Sequence, residues 1–392
     1  MGRQMAKILI SAGPIPARLD SVKYLTNRFK GGLALKTAKE LTRLGHEITI
    51  VSWKHSGILV DDNQTSIQVE DILDYRDKVL NCEADIYVLA AAVANLMPSN
   101  PWVGKFPSHN YKVGEQFDIK FEIAPRIIDE VKKKYPRAGL IGYKLFDGTD
   151  EELIEAGVET LENSKANIVF ANHPAWAKKR KIMLTQDGAE VPISFDQHVT
   201  AIDNLAKAKW YKTELYNEPL IARKLKSFPI ELNDFIYPKY KKGNRVYGSF
   251  ALRDRKQPDS FTTTTRGKQG DGLTFIYKVD HEKRVIMAFK KATLNAPLFA
   301  MLFKKHPEIN VLLHGHKQID FNVSNGKKFM PDSYEYKMPG TDAEVNIARR
   351  CLAFQNEEDN IFNIEHHGYI VGFKTIEESK IWMKENETNE RN

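Results

Sequence analysis

The chain has 392 residues, 42% of them hydrophobic and 28% charged, enough for two or three domains with cores of their own. Its net charge of +7 comes from scattered lysines with no long basic run interleaved with aromatics, which argues against nucleic acid and leaves phosphorylated small molecules to account for the excess. Cys82 and Cys351 stand far apart in no metal-type spacing, which argues against a disulfide framework and fits a reducing cytoplasm. The first residues carry no apolar run of signal-peptide length, and the apolar run Ala84 to Val93 is too short to cross a bilayer, so no membrane association is expected.

The stretch from Lys7 to Val51 reads as strand, loop, helix, strand. Ile8-Leu9-Ile10 has the length of a buried strand, and Ser11-Ala12-Gly13-Pro14 is turn-prone. Leu33, Thr37, Leu41 and Leu44 recur near the helix period, closed by Gly45. Ile48, Ile50 and Val51 form the second strand of this βαβ unit. A phosphate can sit where such a loop meets its helix, because free backbone N–H groups and the helix dipole point at it. No G-x-G-x-x-G is present, and the residues alone fit a plain α/β turn equally well.

Val69 to Asn81 then has helical spacing, and Asp85 to Ala94 is a strand running into small residues that leave room for a ligand, or that pack under a helix. Asp118 to Ile123 alternates charged and apolar residues, a strand signal. Ile127 to Lys134 predicts a helix, Gly139 to Leu145 a strand, Glu151 to Leu161 a helix and Asn167 to Asn172 a strand. Lys181 to Gly188 reads as a closing hairpin and Ala201 to Trp210 as a final helix.

Several of these residues resemble the phosphopantothenoylcysteine synthetase family, the ligase of coenzyme A biosynthesis. Ala12-Gly13-Pro14, then Asp20, Val22, Lys23, Tyr24, Leu25, Thr26, Asn27 and Gly31 fit its AGPT and D-x-V-R-[FY]-[IL]-[ST]-N pattern, with Phe29-Lys30 in place of two serines. Ala91-Ala92-Val93-Ala94-Asn95 fits A-A-V-[AS]-D with the aspartate changed to Asn95, and Lys105 falls where the family has a lysine. Tyr143-Lys144-Leu145 is similar to the eukaryotic form of a later loop, and Asn167 to Asn172 matches a strand end. The resemblance implies a Rossmann-like, doubly wound α/β domain over 1–212 that binds ATP or CTP with Mg2+ and a phosphorylated acid. It implies Asn27 and Lys105 as catalytic residues, Asn27 orienting an acyl-nucleotide intermediate and Lys105 neutralising the triphosphate. Gly13, Gly31, Ala92, Asn95, Tyr143, Lys144 and Asn172 would contact the nucleotide. The acid would be 4′-phosphopantothenate and the amine cysteine, and the changes at Phe29-Lys30 and Asn95 leave room for a different acid or amine.

Residues 213–243, punctuated by Glu218-Pro219, Phe228-Pro229 and Tyr237-Pro238, read as a linker with entry helices. A second domain is expected over 244–392. It holds strands around Val246 to Arg253, Ser260 to Thr265, Leu273 to Tyr277 and Arg284 to Phe289, a helix from Thr293 to Lys304, and a strand ending in His314-Gly315-His316. His-x-His on a strand puts both imidazoles on one face, and His367 could complete a His₃ set with an open position.

The order Gly248 to Arg253, the Thr264 to Gly267 turn, His306 to His316 and His367 to Gly372 resembles the class II aldolase/adducin family, whose fold is α/β/α. That resemblance implies His314, His316 and His367 as zinc ligands, with His366 an alternative third. The family's acid–base glutamate falls at Asn295 and its phosphate-loop asparagine at Ser249, while Thr293-Leu294 replaces a serine pair. Three readings follow: the ligase with an attached metal-binding domain, a zinc-dependent lyase or epimerase acting on a phosphorylated sugar, or an adducin-like scaffold that holds the ligase in an oligomer. By the two resemblances the intact protein is a homo-oligomer.

Overall fold

The computed structural model describes residues 5–176, 181–186, 188, 190–226, 240–242, 245–266, 272–315, 340–342, 345–346, 361–364 and 368–387. The chain forms two compact units, Met1–Gln186 with Pro192–Lys207, and Asp187–Val191 with Ala208–Asn392.

The first sheet is built from β1 (Lys7–Ala12), β2 (Glu47–Trp53), β3 (Thr65–Val69), β4 (Ile86–Leu89), β5 (Gly139–Leu145), β6 (Ile168–Asn172), β7 (Lys181–Thr185) and β8 (Glu190–Ile193). Its order is β8-β7-β6-β5-β4-β1-β2-β3. The strands β1 to β6 run parallel and β7 returns antiparallel to β6. Leu9, Val51, Tyr87, Leu140 and Val169 share one core cluster, whereas their neighbours Ile8, Ile10, Ile50, Val88 and Ile141 are equally buried outside it. Alternation that buries both sides marks a sheet covered on both faces. Helices α1 (Gly32–Arg43) and α5 (Phe195–Lys207) pack together, as do α2 (Ile72–Asn81), α3 (Ile128–Lys134) and α4 (Asp150–Ser164). This is a doubly wound α/β unit, as the sequence predicts.

Two expectations need adjustment. Helix α5 begins six residues before Ala201, because Ser194 caps it: Gln197 N–H donates to Ser194 Oγ (3.3 Å) and Ser194 N–H to Gln197 Oε1 (2.8 Å), a reciprocal box. The alternating segment before Ala124 forms a strand only over Phe121–Ile123, and it pairs with Leu96–Pro98 in a separate two-stranded ribbon rather than in the main sheet.

A polar clamp ties distant parts of this unit. His46, just beyond α1, accepts the Ala6 N–H at Nδ1 (3.3 Å) and meets Asp203 Oδ1 through Nε2 (2.8 Å), and Lys207 Nζ lies 2.7 Å from Asp203 Oδ2.

The second sheet comprises β9 (Lys212–Leu215), β10 (Ser249–Arg253), β11 (Phe261–Thr264), β12 (Leu273–Asp280), β13 (Val285–Ala288), β14 (Val311–Gly315), β15 (Ile361–Ile364) and β16 (Gly368–Phe373), in the order β9-β13-β12-β11-β10-β14-β16-β15. The stretch read as a linker thus opens with a strand of this sheet. Ala251, Leu312 and Ile370 join the cluster of α6 (Ala296–Lys305), whereas Phe250, Val311, Leu313 and Val371 join Met383 of α7 (Ile376–Glu387) on the opposite face. The unit is mixed α/β with helices on both sides of its sheet. Arg253 ties it together, donating to the carbonyls of Phe303, His306 and Ile309 at 2.7–2.9 Å.

Candidate active site

In an open α/β sheet, ligands bind beyond the carboxyl ends of the strands where the strand order reverses. Here that point lies between β1 and β4. Chain leaving β1 and chain leaving β4 meet in a short parallel bridge, Pro14–Ile15 with Ala92–Val93. Ser11 Oγ accepts the Ala91 N–H at 3.1 Å, which fixes the turn after β4.

Two glycines let α1 approach this crossing. Gly13 and Gly31 have φ of +75° and +76°, where L side chains are strained. A Cβ on Gly31 would sit 2.6 Å from Gly13 N, so the two turns are in backbone contact. Gly31 is the N-cap of α1, with no side-chain cap and no acidic residue in the first turn. The positive end of the helix dipole is therefore left for an outside anion.

Asn27 completes the crossing. Its Nδ2 donates to the Ala92 carbonyl (3.1 Å), which binds the segment before α1 to the turn after β4. Gly13, Asn27, Gly31 and Ala92 are thus brought together. Asn95, three residues on, is exposed, and its carbonyl accepts the Ala124 N–H (3.0 Å).

Lys105 is exposed, and the loop that carries it is anchored by a residue the sequence reading treated only as part of a motif. Asp20, 2% exposed, accepts N–H bonds from Val22 (2.8 Å), Lys23 (2.6 Å) and Phe106 (3.0 Å), and the Lys23 ammonium at 2.8 Å. The Lys23 ammonium holds its carboxyl well below the usual carboxylate range. Ser21 N–H to Gly104 carbonyl (3.0 Å) and Trp102 N–H to Leu19 carbonyl (2.8 Å) add to the anchor. Asp20 thereby joins the Asn27 segment to the Lys105 loop. The D-x-V-K-Y pattern was the available signal, although nothing in it names Phe106.

The remaining nucleotide candidates stand on β5 and β6, at the same edge of the sheet. Tyr143 spends its hydroxyl on His198 Nε2 (2.6 Å), with Phe170 tilted against both rings. Burial pushes the Tyr143 hydroxyl upward, and burial together with the Lys181 charge pushes His198 down to about 3. Its imidazole is therefore neutral. Lys144 follows half-buried, paired across the ladder with Ala171. Asn172 ends β6 at 8% exposure, donating to the Phe170 carbonyl (3.1 Å), while its Oδ1 has no partner among the described residues. A buried acceptor without a partner costs folding free energy unless something supplies a donor.

A family model, the DNA/pantothenate metabolism flavoprotein C-terminal domain, matches residues 3–215, more than half of the chain. The chain belongs to this family. Within the DNA/pantothenate metabolism flavoprotein C-terminal domain family, it is 31% identical over 169 residues to the Coenzyme A biosynthesis bifunctional protein CoaBC of Thermococcus kodakarensis, covering 42% of this chain and 41% of that protein. It is 33% identical over 98 residues to the protein of the same name from Vibrio vulnificus, covering 24% of each. The chain spans about two-fifths or less of the length of these curated relatives. Among solved structures, the DNA/pantothenate metabolism flavoprotein of Streptococcus pneumoniae is 19% identical at a TM-score of 0.45, covering 50% of this chain and 96% of that one. The C-terminal domain of a CoaBC protein is 24% identical at a TM-score of 0.42, covering 51% and 92%.

In the second unit, His314, the last residue but one of β14, is fully buried, opposite Ser249 in the ladder. Asn295 Nδ2 donates to Ser249 Oγ at 3.2 Å. His316, His366 and His367 lie outside the described residues, and among the described residues no three His, Cys, Asp or Glu side chains gather as a metal site. No helix among the described residues is long and apolar enough to cross a membrane.

Proposed function

We propose that the first unit is a nucleotide-dependent acid–amine ligase of the coenzyme A route, joining 4′-phosphopantothenate to cysteine. The observation that carries this reading is the hydrogen bond from Asn27 to the Ala92 carbonyl at the sheet's switch point. It joins the Asn27 motif to the Ala92 motif, whose own N–H donates to the Gly13 carbonyl (2.9 Å), where a nucleotide is expected. The names of the relatives in the previous subsection agree with it.

In this reading ATP or CTP, with its Mg2+, lays its phosphates toward the Gly31 end of α1. The acid's carboxylate oxygen attacks the α-phosphorus and pyrophosphate leaves, giving an acyl-nucleotidyl anhydride. The amine of cysteine then attacks the acyl carbon and releases the nucleoside monophosphate. Asn27 has one N–H engaged by Ala92, which fixes its amide plane and presents the remaining amide groups to the intermediate. Lys105, on a loop fixed through Asp20, neutralises charge as pyrophosphate departs.

The test is pyrophosphate release across a matrix of nucleotides, acids and amines that includes phosphopantothenate with cysteine. Steady-state release that needs all three substrates supports the reading, and Lys105→Ala should abolish it. Wild-type rates in Lys105→Ala, or no release with any combination, would sink it.

A second reading concerns the other unit. Ser249, Asn295 and His314, which the aldolase/adducin resemblance assigns to one site, are neighbours in this structure. We infer from this a metal-binding domain of that type, holding zinc through His314, His316 and His367. Because Asn295 cannot act as a general base, little aldol cleavage of phospho-sugars is expected from it.

A further inference from the structure

Helix α2 supplies none of the side chains of the candidate site, yet it brackets the chain that leaves β1. Ile72, its first residue, donates its N–H to the Pro16 carbonyl at 2.9 Å. One turn on, the Tyr75 hydroxyl is hydrogen-bonded to the Ser11 hydroxyl. Ser11 lies before Gly13 in the chain and Pro16 after it, so the helix holds both flanks of the glycine crossing. The holding end is itself fixed. Asp71 caps it, accepting the N–H groups of Leu73 (2.9 Å) and Asp74 (3.1 Å).

Ser11 passes this hold on to the turn after β4. Its Oγ accepts the Ala91 N–H at 3.1 Å. Ala92 then donates its N–H to the Gly13 carbonyl (2.9 Å), and its carbonyl accepts Asn27 Nδ2 (3.1 Å). A serine side chain has three staggered positions, and a second hydrogen-bond partner selects one of them. Ser11 is fully buried and Tyr75 is 1% exposed, so bulk water does not replace that partner. The series from helix to site is therefore Tyr75, Ser11, Ala91, Ala92 and Asn27.

We propose that Tyr75 is a positioning residue of the candidate site. Through Ser11 it sets the Ala91–Ala92 turn, and through that turn the plane of the Asn27 amide. The inference rests on the ligase reading, in which Asn27 orients the acyl-nucleotide for attack by the amine. It assigns Tyr75 to amide formation and leaves the earlier activation of the acid independent of it.

The first arm of the test needs no activity. In proton–nitrogen NMR of the full chain, Tyr75→Phe should speed exchange of the Ala91 amide and shift the Asn27 side-chain amide signals. The amides of Leu9 and Ile10 should keep their protection. The second arm is rapid quench. Acid and nucleotide without amine report activation, as one pyrophosphate per chain, and added cysteine reports amide formation. Tyr75→Phe should slow amide formation roughly fivefold, the worth of one net hydrogen bond, with activation unchanged.

A third comparison separates positioning from stability. Ser11→Ala leaves the Tyr75 hydroxyl buried without its partner, so it destabilises the unit in urea. Adding Tyr75→Phe removes that orphan and should regain part of the stability. It should not regain the rate, because the Ala91 N–H still lacks its acceptor. Unchanged Asn27 signals in Tyr75→Phe overturn the proposal whatever becomes of the ligase reading. Equal slowing of both steps, or a double variant that recovers its rate with its stability, overturns it too. A wild type that forms no pyrophosphate removes the ligase reading and the assigned step with it, and shifted Asn27 signals identify that failure as the ligase's own.

Discussion

The neutral His198 should make the first unit acid-sensitive in a range where its carboxylates are not yet involved. Folded, the imidazole titrates at about 3, against 6.5 for the ordinary group. Between those values the unfolded chain binds a proton that the folded chain refuses, so stability rises with pH across the window and is lost as pH falls through it. For one such group, lowering the pH from 6.5 to about 4.5 costs about 2 kcal/mol. Asp20 and Asp203, whose folded values lie below the ordinary 3.8, lose their contribution only under more acid conditions. His198→Gln keeps a polar group for the Tyr143 hydroxyl and cannot be protonated here. The assay is urea unfolding at both pH values, read by pulsed hydrogen exchange in peptides covering Ile168–Asn172 and Phe195–Lys207. The wild type should lose about 2 kcal/mol more than His198→Gln on acidification. Equal losses in the two proteins would refute the reasoning.

Gly31→Ala should weaken nucleotide binding by at least about tenfold while leaving the chain folded, because a side chain at positive φ costs about 1–2 kcal/mol and its Cβ must displace the Gly13 turn. Isothermal titration with ATP and CTP reads this, and unchanged binding would separate the glycine crossing from the phosphate site. Asp20→Asn should lower hydrogen-exchange protection at Ser21 and Phe106 without changing that of β1, since the anchor to the Lys105 loop loses its charge. Elemental analysis of tag-free protein should find about one zinc-type ion per chain, lost in His314→Ala with His316→Ala. A protein that is metal-free and takes up no added zinc would remove the metal reading.

Much of this architecture was legible in the residues. Ile8-Leu9-Ile10 and Ile48 to Val51 read as buried strands because Thr49 is the one polar residue among them, and the small residues after Leu89 follow the strand at the point where the strand order reverses. The start of α5 was missed because Ser194 and Gln197 signal it by capping, while the apolar period becomes clear only later. Asp20 was under-read because its function is expressed through the amide of Phe106, 86 residues away, and a backbone donor leaves no trace in side-chain pattern. The partner of Tyr143 was illegible for the same reason of distance: His198 follows 55 residues later on another element. The alternation of Asp118 to Ile123 gave a strand, but periodicity carries no information about which sheet a strand joins.

The clamp at His46 has a consequence for synthesis. The first strand leaves the ribosome early, yet the Ala6 amide depends on a ring whose other nitrogen is held by Asp203, 157 residues further along. Until α5 has emerged, the sheet lacks that helix as a cover beside α1, and β5, the strand α5 packs on, is left under-protected. Closing so long a loop is slow relative to forming the local βαβ turns. The nascent unit therefore passes through a stage in which the Gly13–Gly31 crossing is assembled and one face of its sheet is still partly bare, which is where an aggregation-prone intermediate is expected and where a chaperone has a surface to hold.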